Sequence, residues 1–220
     1  MVAMARVATA EGRGESPEAG DRSARSRQAI LAVAAGTIAR HGIHGLRVER
    51  VAKEAGVSTA LLYYHFGSRS GLVNAAFEYA SELAPSTALR LASDEQSGYE
   101  AVAAALLAEL DESPDVREFS VVWGDVSANA VFEPELRPSV RTITRAWRLT
   151  VAAAIERGVA DGSIRSDVDP DEAAELLIVL VDGFCIRWLS GSLELERARH
   201  LLSKVLAQLR PPDEAGAPPG

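Results

Sequence analysis

Val48-Glu-Arg-Val-Ala-Lys-Glu-Ala-Gly-Val-Ser-Thr-Ala-Leu-Leu-Tyr-Tyr-His-Phe66 decides the reading of this chain. Val48, Val51, Ala52 and Ala55 recur at helical spacing, Gly56 can take the positive φ that leaves a helix, and Ser58 can cap the next one. Ala52 is small enough to let two helices cross closely. In the second helix Leu61 and Leu62 turn inward toward Val51 and Val57, which leaves Thr59, Ala60 and Tyr63 on the outer face. Two short helices joined by a glycine turn, the second ending in aromatic and basic residues, make a helix-turn-helix spanning about residues 47–66. The second helix of such a unit fits a DNA major groove.

Within this unit, Ala52-Lys-Glu-Ala-Gly-Val-Ser58, followed by Leu62-Tyr-Tyr-His-Phe-Gly-Ser-Arg69 and Leu72, closely resembles the DNA-binding domain of TetR-type transcriptional regulators. The resemblance covers about residues 22–84. It implies that Tyr63, His65 and Arg69 touch operator phosphates, with Tyr64 in the same DNA-binding set, and that Ser58, Thr59 and Ala60 at the start of the recognition helix touch bases. Two positions depart from the family pattern. Arg47 stands where a capping Thr or Ser is common, and Thr59-Ala60 replaces a frequent Lys-Gly pair, so base preference is particular to this chain. Arg47 is expected to clamp a phosphate beside the helix N-terminus, because a phosphate contact needs only charge and reach.

The net charge of −8 argues against DNA binding until it is divided along the chain. Residues 22–72 hold eight Lys/Arg against two acids, a balance of +6; residues 1–21 carry −2 and the remainder −12. The basic block coincides with the helix-turn-helix, and an acidic body repelled by the duplex orients the protein with this end toward DNA. At 220 residues and 47% hydrophobic content the chain can bury a substantial core. No apolar run approaches the ~20 residues that span a bilayer, and Met1–Gly20 lacks the hydrophobic segment of a secretory signal, so a cytoplasmic, nucleoid-associated protein is expected. The single cysteine, Cys185, fits a reducing compartment and reads as a core residue.

Helical periodicity persists nearly throughout, with no sustained two-residue alternation, so the expected fold class is all-α. Residues 1–20 read as a disordered arm and 211–220 as a disordered tail, flanking a DNA-binding domain (22–84) and a helical ligand-binding and dimerisation domain (85–210). A first helix is expected from Arg22 to His41, ending at Gly42 and burying Ile30, Val33, Ala34, Thr37 and Ile38. Another begins near Ser68 and closes near Leu83 and Pro85. Five further segments follow, near 96–110, 114–131, 134–159, 169–189 and 192–209. Asp169 and Pro170 open the penultimate helix cleanly, and Ser192 is expected to cap the last. The last helix carries Leu195, Ala198, Leu202, Val205 and Leu209 at spacing suited to pairing. One recognition helix contacts few base pairs, so a homodimer on a pseudo-palindromic operator is expected, joined through about 169–209 as in the resembled family.

The aromatic residues Phe119, Trp123, Phe132, Trp147, Phe184 and Trp188, with Asp125, Asn129, Thr150 and Asp182 nearby, supply what an apolar small-molecule pocket is made from. From these the candidate lining is Phe119, Trp123, Trp147, Thr150, Asp182, Phe184 and Trp188, for a small apolar or amphipathic effector; any single ring serves equally well as bundle core. Ala130-Val-Phe-Glu-Pro-Glu-Leu-Arg137 and Val181-Asp-Gly-Phe184 are similar to the effector domain of the BetI-like branch. On family grounds the expected activity is repression relieved by that effector. The rival is a C-terminal domain that docks a protein partner, favoured if its aromatics lie on the outside.

Catalysis finds little support. His41, His44, His65 and His200 lack metal-ligand spacing, and no phosphate loop or nucleophile elbow appears. Catalytic residues, metal and cofactor are all expected to be absent. Glu109, Asp111, Glu112, Asp115 and Glu118 read as a solvated junction between helices.

Overall fold

Nine α-helices and one 3-10 turn, with no strand, make up the residues that the computed structural model describes, 17–83 and 96–212. The helices are α1 (Pro17–Gly45), α2 (Val48–Glu54), α3 (Thr59–Phe66), α4 (Arg69–Glu82), α5 (Gly98–Ala108), α6 (Pro114–Asn129), α7 (Arg137–Asp161), α8 (Pro170–Leu189) and α9 (Leu195–Ala207); the 3-10 turn is Pro134–Leu136. The all-α expectation holds. No helix among the described residues is long and apolar enough to cross a membrane.

Local chemistry sets most of the boundaries. Gly42, at φ 68° and ψ 171°, breaks α1 and leaves one further turn before α2. Gly56, at φ 69°, separates α2 from α3, and the Ser58 hydroxyl accepts from the Leu61 amide at 3.1 Å. Ser97 and Glu100 form a reciprocal capping box at the start of α5. Asp169 caps α8 by accepting from the Glu172 amide at 2.9 Å. Three expectations are corrected. The first helix starts at Pro17, so residues 17–20 of the expected arm are helical. Glu194, not Ser192, occupies the cap position of α9, because the Ser192 hydroxyl instead donates to the Arg187 carbonyl at the end of α8. Leu61 is only half-buried, while Leu62 carries the inward contact of α3. Residues 1–16, Pro85 and 213–220 lie outside the described residues.

Two apolar cores organise the bundle. The first is built on Ile30, Ile38, Ile43, Leu46, Leu62, Leu72 and Phe77, and it continues into α6 through Val122 and Val126 and into the 3-10 turn through Leu136. The reading head therefore shares its interior with the corner that follows α6, on the far side of the expected boundary at 84/85. Each fully buried side chain of this kind contributes about 1.5–3 kcal/mol by leaving water. The second core joins α5, α7, α8 and α9 around Leu106, Leu110, Ile155, Ile164 and Leu202. There Gly98 of α5 meets Gly158 of α7 so closely that an added Cβ would lie 2.1 Å from the Gly158 nitrogen.

The apolar stripe of α9 turns inward within the chain. Ala198 and Leu202 are buried and Leu195, Val205 and Leu209 are half-buried against the second core. Neighbouring α5 and α8 satisfy that stripe inside one chain. It is α8 that leaves an apolar ridge in water: Leu176, Val179, Leu180 and Ile186 are exposed. Steps of three, four and seven residues, from Leu176 to Val179 and Leu180 and from Val179 to Ile186, put them along one face.

Candidate DNA-reading surface and ligand cavity

Arg47, Arg50 and Lys53 are all exposed on the first helix of the motif. Arg47 occupies the cap position of α2 without capping it, and its guanidinium donates to the His44 carbonyl at 3.2 Å. Arg50 pairs with Glu54 at 2.8 Å, one helical turn along α2, and the pair is open to solvent, which screens it. In α3, Ser58 and Ala60 are exposed and Thr59 is half-buried. Tyr63 is 44% exposed and Tyr64 78%, so two phenol groups project from the end of the recognition helix.

The other two residues assigned to phosphate sit differently. His65 is half-buried, its ring between those of Tyr64 and Phe66, with Nε2 buried and without a hydrogen-bond partner among the described residues. Arg69 points into the protein: its guanidinium donates to the Ile43 carbonyl and to Leu46 O at 3.5 Å, and lies 3.8 Å from Glu133. The basic, exposed part of the surface is thus centred on α2 and the start of α3, with the tyrosines beyond.

Between the two apolar cores lies a cavity of about 150 Å³ lined from five helices. Phe119, Ser120 and Trp123 come from α6, Thr142, Ile143, Ala146, Trp147 and Thr150 from α7, Val181, Asp182 and Cys185 from α8, Ser81 from α4, and Glu109 from the end of α5. Trp123 packs on the first core and Trp147 on the second. Five of the seven expected pocket residues are brought together here. Phe184 is instead packed in the second core, and the Trp188 ring lies 5.8 Å from the Arg117 guanidinium. Phe132 is 82% exposed on the turn after α6.

Glu109 is the principal correction. It is 6% exposed and lines the cavity rather than belonging to a solvated junction. Helical periodicity carried the signal, since residue 109 continues the inward face of Val102, Ala105 and Leu106. The cavity also pushes Asp182 up to about 6, because burial penalises its charge even though the Trp123 indole N–H donates to it. Burial, and then the nearby Glu109 and Asp182, push the Cys185 thiol up to about 12, so it is a neutral wall group at physiological pH. Among the described residues no lysine or arginine lines the cavity. Asp125 and Asn129, expected near a ligand, lie outside it: Asp125 accepts from the Ile43 amide at 2.6 Å, and Asn129 donates to Asp125. Among the described residues no group of His, Cys, Asp or Glu could hold a metal ion.

Comparison with known proteins agrees with this arrangement. Residues 30–76 match the family of bacterial regulatory proteins of the tetR type, and residues 98–211 match the C-terminal domain of BetI-type transcriptional repressors. The chain is 30% identical to the transcriptional regulator BetI of Cronobacter sakazakii over 87% of its own length and 94% of that protein's. It is 27% identical to the transcriptional repressor AcnR of Corynebacterium efficiens, covering 88% of this chain and 97% of the relative. A TetR-family regulator from a Rhodococcus species superposes with a TM-score of 0.77 at 37% identity, over 84% of this chain and 99% of that one. A transcriptional regulator from Saccharomonospora viridis, crystallised in complex with choline, does so with a TM-score of 0.72 at 27% identity, over 84% and 96%. The chain belongs to the TetR family of DNA-binding transcriptional regulators, with a C-terminal domain of the BetI type.

Proposed function

We propose that this protein is a homodimeric repressor, acting in the cytoplasm, that a small organic cation releases from a pseudo-palindromic operator. The observation that carries the ligand class is the composition of the cavity. Two acidic side chains, Asp182 and Glu109, and three aromatic rings, Phe119, Trp123 and Trp147, face one space. Aromatic faces attract cations, most strongly once both are out of water, and the buried Asp182 carboxylate gains a counter-ion. A quaternary ammonium with a short polar arm is also amphipathic, as expected from sequence. The choline bound to the Saccharomonospora relative supports the same chemistry. Convergence of three half-buried rings on one cavity favours an effector over a docked protein, which would need a surface of exposed aromatics.

The dimer partner is a second copy meeting the exposed ridge of α8, Leu176, Val179, Leu180 and Ile186. A two-fold dimer presents two recognition helices to a pseudo-palindromic operator, whose half-sites lie about 34 Å apart or a multiple of it. Arg47, Ser58, Thr59, Ala60, Tyr63 and Tyr64 are the direct DNA contacts in this reading, and Arg69 and His65 support them from behind.

Tryptophan fluorescence and operator binding test the proposal together. Choline is expected to change the emission of Trp123 and Trp147 saturably and to weaken binding to the intergenic DNA beside the protein's own gene. That binding should fall steeply with salt. Saturable emission change with unaltered DNA affinity would sink ligand-released repression; no emission change with choline or other small organic cations would sink the ligand class.

A further inference from the structure

A polar chain runs from the cavity wall to the reading head. Trp123 lines the cavity on α6, and two residues later the Asp125 carboxylate accepts from the backbone amide of Ile43 at 2.6 Å. The Ile43 carbonyl in turn accepts from Arg69, the first residue of α4, which also lies 3.8 Å from Glu133 on the turn after α6. Asn129 holds the same carboxylate, donating to Oδ1 at 3.1 Å. Ile43 belongs to the last turn of α1, between the break at Gly42 and the first residue of α2. A Cβ at Gly42 would come within 3.3 Å of Asp125 Oδ2, so a glycine there both takes the positive φ and admits the carboxylate.

This is a long-range contact between charged and backbone groups, 82 residues apart in sequence, at the point where the orientation of α2 and α3 is set. Charge-assisted bonds of this kind are short and directional, so a displacement of α6 by a fraction of an ångström is felt at Ile43. Apolar contacts alone would slip more readily, since they have no preferred direction. We propose that Asp125 is the positioning residue that transmits cavity occupancy to the helix-turn-helix. Ligand contact with Trp123 moves α6, Asp125 carries the movement to Ile43, and the α1–α2 connection with Arg69 re-aims the recognition helix. The assignment rests on the ligand-released reading above.

The test compares wild type with Asp125→Ala and Asp125→Asn, reading choline affinity from tryptophan fluorescence and operator affinity from anisotropy. In the wild type, saturating choline is expected to weaken operator binding by roughly 5- to 150-fold, the usual span for coupled sites. Asp125→Ala is expected to keep choline affinity within about 3-fold while that coupling falls to about 2-fold or less. Asp125→Asn keeps an acceptor oxygen for the Ile43 amide and is expected to retain part of the coupling. Unchanged coupling in Asp125→Ala overturns the proposal, and so does a choline affinity that falls together with operator affinity in both variants, since Asp125 would then support the fold rather than the coupling. A ligand-free arm separates this from failure of the ligand class. Ser120→Leu fills the cavity from α6 and is expected to weaken operator binding in the wild-type background and not on Asp125→Ala. Additive effects in that cycle, or no operator effect from either choline or Ser120→Leu, overturn the role of Asp125.

Discussion

Asp182 gives two readouts of opposite sign from one substitution. Its carboxyl is pushed from the ordinary 3.8 up to about 6, first by burial. A group whose pKa is raised on folding binds its proton more tightly in the native state. The fold is therefore most stable with respect to this group below pH 4, and that advantage is lost as pH rises through 6. Each pH unit of displacement is worth about 1.4 kcal/mol, which caps the cost of keeping the empty cavity ionised at about 3 kcal/mol above pH 6. Residual solvent contact brings the expected effect to ~1–2 kcal/mol. Asp182→Asn keeps an oxygen for the Trp123 N–H and removes the charge. It is expected to stabilise the ligand-free protein by that ~1–2 kcal/mol at pH 7.5 and to change stability little at pH 4.5, by urea denaturation at both pH values. The same variant is expected to bind choline at least about 10-fold more weakly, since a buried counter-charge is worth more than 1.4 kcal/mol. A ligand-free Asp182→Asn that is less stable than wild type at pH 7.5, by the same margin as at pH 4.5, would refute the reasoning.

Other expectations follow from individual contacts. Ser58→Ala removes the cap of α3 and should destabilise the protein by about 1 kcal/mol, read as a lower urea midpoint. Val179→Glu introduces a charge into the α8 ridge and should convert dimer to monomer by light scattering, with loss of operator binding because both half-sites are no longer engaged. Arg47→Ala should weaken operator binding and reduce the salt slope by about one phosphate's worth, with base preference unchanged in a competition assay. Leu136→Ala empties a fully buried site in the first core and should cost about 2–5 kcal/mol in thermal or urea unfolding.

Much of this architecture is legible in the sequence because local chemistry dictates it. Gly42 and Gly56 sit where positive φ is needed, and Ser58, Ser97 and Asp169 cap through their own side chains. What sequence reasoning missed was the direction in which amphipathic faces point once several helices compete for them. The α9 stripe has the spacing of a dimer seam and the spacing of an intramolecular core, and only the packing of α5 and α8 decides between them. The acids around Glu109 in sequence point it to water, yet the end of α5 turns it into the cavity. Trp188 and Phe184 share a helix with Asp182 but face neighbours about a quarter-turn or more away, since each residue advances a helix by roughly 100°. The carbonyl partners of Arg69 come from residues 23 and 26 positions earlier, which no local pattern reveals.

The interior shared by the head and the α6 corner bears on how such regulators can be recombined. A chimera that grafts this chain's first 83 residues onto another effector domain carries Leu72 and Phe77 without the Val122, Val126 and Leu136 that complete their packing. The graft would also sever the Asp125 contact to Ile43 and the bond from Asn74 to the Glu135 carbonyl. Biosensor designs that exchange reading heads therefore have to transplant residues 122–136 with the head, or redesign the acceptor's matching corner, so that the exchanged unit is defined by its interior rather than by its position in the chain.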